Sequence, residues 1–137
     1  MFDKKAETSV PITETLANRW SGRAFDPNRT ISHTELSVLL EAARWTPSSK
    51  GYQPWRFVIS DKQKTPAAWQ RTLDSLVESN QSWAKSAPVL MAVFSDLIFE
   101  DGSPNKWALY DTGAAVMSLA TQATELGLMT HQMGGIN

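Results

Sequence analysis

The sequence contains no cysteine, which excludes disulfides, thiolate nucleophiles and sulfur-ligated metals and fits a reducing cytoplasm, the expected location. Its two histidines, His33 and His131, are too few to build a metal cluster by themselves. No window approaches the ~18 apolar residues of a membrane-spanning helix. The opening MFDKKAETSVP has no apolar stretch of signal-peptide length. An excess of one charge is missing too: thirteen Lys and Arg against fourteen Asp and Glu leave a net charge of -1, so neither nucleic acid nor an anionic membrane is an expected partner. There is no Walker motif, dinucleotide fingerprint, HExxH pair or nucleophile elbow. Asp26, Glu41, Asp111 and Glu125 are scattered without the spacing of an acid/base pair.

What is present reads as one domain over residues 1–137, without repeats, low-complexity tracts or linkers. A proline in the first turn predicts a short helix over residues 11–19. Ser32 and Glu35 form a capping box, and Leu36, Leu39, Leu40 and Ala43 recur at helical spacing, so a second helix runs to about Trp45. Residues 55–60 alternate as a strand, with Trp55, Phe57 and Ile59 on one face and Val58 on the other. Thr65 caps and Pro66 starts a third helix whose stripe is Trp69, Leu73, Leu76 and Val77. The unbroken apolar run 88–94 predicts a strand covered on both faces. After a polar turn at 101–105, a long helix extends over about 106–126 and Gly127 stops it. That helix is rich in Gly, Ala, Ser and Thr and apolar nearly all round. A central core helix and a subunit interface explain it equally well.

Three stretches could carry chemistry. Arg19, Ser21 and Arg23 in RWSGRAF set two guanidinium groups and a hydroxyl within five residues, a set suited to a phosphate. Spacing alone favours a plainer reading, in which these cations sit on the free carbonyls of a helix C-terminus that Gly22 ends. Pro47, Ser48, Ser49, Lys50 and Gly51 could present hydroxyls and N–H groups to a ligand, or simply connect a helix to a strand. Gly134 and Gly135 could allow close backbone contact, or form a turn. His33, among the first helical residues, reads as exposed.

The order of these pieces is more specific than any of them. RWSGRAF, LLEAARWTPSSKGYQPWRFVI, NQSWAKSAPVLMAVF and YDTGAAVMSLATQATELGLMTHQMGG follow one another as in the FMN-dependent nitroreductase family, which the chain resembles from about Thr13 to its last residue. The segment around PSS and QPWRF is the distinctive one. The resemblance implies an α+β fold, a mixed sheet flanked by helices as an α/β/α sandwich, and an intertwined homodimer around the long helix with FMN at the interface. It also implies NAD(P)H as reductant and a ping-pong reduction of nitroaromatics, quinones or activated alkenes.

Position by position, the resemblance puts Arg19 and Ser21, with Trp20 between them, on the FMN phosphate side, and Arg23 near the pyrimidine edge of the flavin. Pro47, Ser48 and Ser49 match a loop that reaches the flavin from the partner subunit. Asn80 matches an asparagine that bonds the ring or ribityl chain, and Gly134 and Gly135 match a pair whose N–H groups face the ring. No catalytic side chain and no metal are implied, because the cofactor carries the difficult chemistry. Trp45, Trp55 and Trp83 are expected to pack in the core. The chain departs from the family pattern at Gly51, where many members have asparagine, and in the short stretch 95–105, where larger relatives insert helices. Members also continue past the position of Asn137, so the chain reads as C-terminally shortened. A flavin-binding or dimerising remnant without turnover is the alternative.

Overall fold

The computed structural model describes residues 4–137. Helix α1 covers Glu14–Asn18, so it begins later than the expected start at Pro11. Val10 and Ile12 ahead of it are exposed, and an earlier turn would have no apolar face to bury. Helix α2, His33–Arg44, opens with the expected capping box. Ser32 Oγ accepts from the Glu35 N–H at 3.1 Å, and Glu35 Oε2 accepts from the Ser32 N–H at 2.8 Å. Leu39 and Ala43 are its buried residues.

Strands β1, Trp55–Asp61, and β2, Val89–Ser95, pair antiparallel with Trp55 opposite Ser95 and Asp61 opposite Val89. Among the described residues the sheet has these two strands. Side-chain alternation sends Trp55, Phe57 and Met91 to one face and Ser60 and Leu90 to the other. Contrary to expectation, β2 is not covered on both faces along its length. Leu90 is buried, but Phe94, which alternation puts on the same face, is 57% exposed.

Helix α3, Pro66–Asp74, starts at its proline as expected, but Thr65 lends no side-chain cap. The Thr65 hydroxyl bonds the backbone of Asp61 instead. Leu76 and Val77, expected on the α3 stripe, lie beyond its end, and a separate helix α4 spans Glu78–Ala84. The break has a tertiary cause. Leu76 bridges to Ile136, the Val77 N–H donates to the Gly135 carbonyl at 3.1 Å, and the Asn137 N–H donates to the Ser75 carbonyl at 2.9 Å. Helix α5, Ala108–Glu125, is the long helix, and Gly127 ends it at φ +69.

Two cores flank the sheet. Leu39 and Ala43 of α2, Trp55 of β1, and Ala115, Leu119 and Ala123 of α5 form one. The alanines let α2 and α5 approach closely. Trp69 and Leu73 of α3, Leu76, Ala84 of α4, Ala87 and Leu90 of β2 form the other. The result is helix, sheet and helix in layers, the expected α+β sandwich, with one face of α5 buried and the other, including Tyr110 and Met117, exposed.

Candidate functional site

Residues 19–23 leave the end of α1 as an irregular loop. The loop lies against the C-terminal segment 128–137, for reasons visible at Gly22. A β-carbon there would stand 2.0 Å from Met129 Sδ and 3.0 Å from the Trp20 ring, so only glycine admits both neighbours as placed. The Gly22 carbonyl accepts from His131 Nδ1 at 3.0 Å. A carbonyl can only accept, so the imidazole carries its proton on Nδ1. The His131 ring lies 4.4 Å from the Trp83 ring, Phe25 stacks on Trp83 at 6.2 Å, and the Arg23 guanidinium stands 5.7 Å from the same indole.

One turn before Trp83 on α4 is Asn80, whose Nδ2 lies 2.9 Å from where a β-carbon on Gly135 would be. Gly134, by contrast, faces open space. The loop 19–23 thus meets the C-terminal segment through Gly22 and His131, Arg23 stands over Trp83, and Asn80 lies against Gly135. Arg19 reaches Ser21 Oγ only at 3.5 Å, a long contact. Among the described residues neither Arg19 nor Arg23 forms an ion pair, and neither donates to a carbonyl of α1. The plainer helix-terminus reading thus has no hydrogen bond to a helix carbonyl behind it among the described residues, and Arg23 rests on the Trp83 ring instead.

Pro47, Ser48, Ser49 and Gly51 form a second group. The Ser49 N–H donates to Asp111 Oδ2 at 2.9 Å, the Gln53 N–H to Ser48 Oγ at 2.9 Å, and Thr46 Oγ1 to Ser118 Oγ at 2.7 Å. The loop is thereby moored to α5. Its backbone turns through the left-handed region at Lys50, Gly51 and Gln53, with φ of 55, 66 and 52. At Gly51 a glycine therefore has a conformational reason, and asparagine is the side chain that best tolerates the same geometry. Tyr52 donates to the Ile98 carbonyl at 2.9 Å. Desolvation and then the Asp96 charge push its phenol upward, which keeps it a neutral donor. Among the described residues no hydrogen bond or ring contact joins this loop to the group around Trp83.

Sequence reasoning missed His131, Met129 and Asp111. Asp111 had a legible signal, an acid in the first turn of an otherwise apolar helix, where the N–H groups favour an anion. It is only 4% exposed. The expectation for Trp45 is corrected: it is 73% exposed, outside the core, with its indole N–H on Glu41 and Arg44 over its ring. It falls at the C-cap of α2, past the last buried turn. Trp55 is buried as expected, and Trp83 is partly buried among Phe25, His131 and Arg23.

A sequence model of the nitroreductase family matches residues 16–137. The chain belongs to the nitroreductase family. It is 39% identical over 71 residues to the major NAD(P)H-flavin oxidoreductase of Aliivibrio fischeri, covering 52% of this chain and 31% of that protein. It is 27% identical over 125 residues to the CLA biosynthesis enone reductase of Lactiplantibacillus plantarum, covering 82% of this chain and 56% of that one. Of these curated relatives the matched part is therefore between about a third and somewhat over half. Among solved structures, an oxidoreductase containing FMN superimposes at a TM-score of 0.89 with 38% identity, covering 99% of this chain and 69% of that one. A nitroreductase in complex with FMN from Exiguobacterium sibiricum gives 0.78 with 26% identity, covering 96% and 78%.

Proposed function

We propose that this nitroreductase is an FMN-dependent oxidoreductase that uses NAD(P)H to reduce nitroaromatics, quinones or activated alkenes. One observation carries the reading: among the described residues Arg19 and Arg23 have no carboxylate partner, and their loop is bonded through Gly22 to the segment that brings Gly134, facing open space, and Gly135, against Asn80. A flavin nucleotide needs these features, since it is a phosphate dianion joined to a flat apolar ring with a polar edge. Arg19 and Ser21 hold the phosphate through charge-assisted bonds, with Trp20 beside them. Arg23, kept in place against Trp83, sets a fixed positive charge at the pyrimidine edge. Asn80 offers an amide to the ring or ribityl chain, and Gly134 and Gly135 let the backbone come close.

When bound, FMN would supply the two-electron chemistry between NAD(P)H and the acceptor, in ping-pong order. No side chain of this chain serves as nucleophile or base. Among the described residues no hydrogen bond or ring contact joins the loop of Pro47, Ser48, Ser49 and Gly51 to the Trp83 group, which supports its delivery to the site of a second copy. The proposed assembly is therefore a homodimer with FMN at the interface. The exposed Tyr110 and Met117 face of α5, beside a groove of ≈ 580 Å³ lined by Leu16, Ala114 and Thr121, is the surface that would meet the partner.

The test is spectroscopic. The purified chain with FMN is expected to hold the flavin through gel filtration and to bleach when NAD(P)H is added without oxygen. Yellow colour that returns when menadione or a nitrofuran is added completes the cycle. Bound flavin that NAD(P)H does not bleach would instead identify a binding remnant without turnover, and a chain that ignores FMN would overturn the proposal.

A further inference from the structure

We infer that His131 is a positioning residue for the flavin site, a clamp that fixes the arginine loop 19–23 to the glycine segment through the Gly22 carbonyl and the Trp83 ring. The inference rests on the FMN reading above. It goes beyond it because His131 is not among the residues assigned to the cofactor.

Two segments far apart in sequence must be held in register for one ligand to meet both. Residues 19–23 bring the cations, and Gly134 and Gly135 bring the close backbone approach. The Gly22 carbonyl and the His131 Nδ1–H meet at 3.0 Å across a separation of 109 residues, and this is the one hydrogen bond among the described residues that ties the two segments directly. The same imidazole lies 4.4 Å from the Trp83 ring, on which Arg23 rests at 5.7 Å. Among the described residues the Trp83 indole N–H has no hydrogen-bond partner, so ring contacts with His131, Phe25 and Arg23 set the indole's place rather than a bond of its own. Gly22 supports the clamp from beneath, since any side chain there would displace Met129, two residues before His131. His131 thus acts on the ligand through Arg23 and the loop.

Its two contributions can be separated. Asparagine carries an N–H at the position of Nδ1 but no ring, phenylalanine carries the ring but no N–H, and leucine carries neither. His131→Phe is expected to weaken FMN about fivefold, the loss of one hydrogen bond, and His131→Asn to recover most of that. Flavin quenching reads the affinity. Amide hydrogen exchange without flavin reads the clamp itself, and residues 20–25 should exchange faster in His131→Phe and His131→Leu than in the wild type or His131→Asn.

Unchanged exchange in all three variants overturns the clamp, whether or not flavin binds. Changed exchange with FMN affinity equal to wild type overturns its role in the site. A wild-type chain that binds no FMN, yet shows the exchange difference, overturns the functional reading and leaves the clamp in place. Melting temperatures check that His131→Phe and His131→Asn are folded alike, so that the comparison sets the bond against the ring.

Discussion

Arg19 and Gly134 are the two positions at which ligand binding and folding separate most cleanly. Among the described residues Arg19 makes no ion pair, so Arg19→Ala removes little that holds the fold. If the residue grips a phosphate, the loss of a charge-assisted bond worth about 1.5–3 kcal/mol weakens FMN by roughly 10- to 150-fold. Flavin titration beside a thermal melt reads both, and equal damage to affinity and stability would contradict the assignment. The paired glycines divide in the same way. A β-carbon on Gly135 would stand 2.8 Å from Val77 Cγ2 and 2.9 Å from Asn80 Nδ2, both on short side chains, so Gly135→Ala is expected to destabilise by about 1–3 kcal/mol. Gly134 has open space around it, and Gly134→Ala should leave the melt unchanged while hindering flavin. This difference between neighbours was not legible in the motif GG, because it depends on α4, a helix that the sequence did not announce. Gly51 was more legible than it looked. Its φ of +66 suits glycine and asparagine alike, so Gly51→Asn should fold with its melting temperature close to that of the wild type.

Elements whose signals are local were readable, and those shaped by distant partners were not. The capping box of α2 is the clearest local case, since Ser32 and Glu35 satisfy each other's backbone without outside help. Those bonds have a pH consequence. The Ser32 backbone N–H first, then the Ser32 side chain and Arg29, hold the Glu35 carboxyl down to about 2 from its ordinary 4.5. The folded chain therefore binds fewer protons at this site than the unfolded chain between those values. The stabilisation is fully present above about pH 4.5 and is lost as pH falls toward 2. Glu35→Gln keeps a capping side chain but no titration, so urea midpoints measured from pH 6 to pH 2.5 should fall less steeply than in the wild type. Parallel slopes would contradict this. Glu41, held down to about 2 by Arg44 and then the Trp45 indole, leaves part of the slope in either protein. The break between α3 and α4 had no comparable local signal. It is imposed by Gly135 and Asn137 bonding to Val77 and Ser75 from the other end of the chain. In the same way, nothing around Pro47 said that Asp111 would moor Ser49. Asp111→Ala strips that N–H of its partner and should cost about 1–3 kcal/mol.

The whole chain exposes 9030 Å², whereas a compact monomer of 15.2 kDa exposes about 7,100 Å². The difference on this one chain is more than twice the ~800 Å² that one partner gives to a standard interface, and exposed apolar residues contribute to it: Phe94 on β2 and Leu109, Tyr110 and Met117 on α5. At this scale the two groups of candidate residues acquire a common explanation. Arg23 stands over Trp83 and Asn80 lies against Gly135, the serine loop is moored to α5, and a second copy is what would bring one loop to the other chain's cations. The composition of α5 left core and interface equally open, and the helix has a face for each: Ala115, Leu119 and Ala123 are buried in its own chain, and Tyr110 and Met117 are not. Tyr110→Glu with Met117→Glu should therefore yield a folded monomer with weakened flavin affinity. The central claim, an FMN site completed by two copies, is tested most directly by sedimentation followed in the visible flavin band. The account predicts that the colour moves with a species of about twice 15.2 kDa. Protein sedimenting at the mass of one chain, with the flavin left behind at the meniscus, would contradict it.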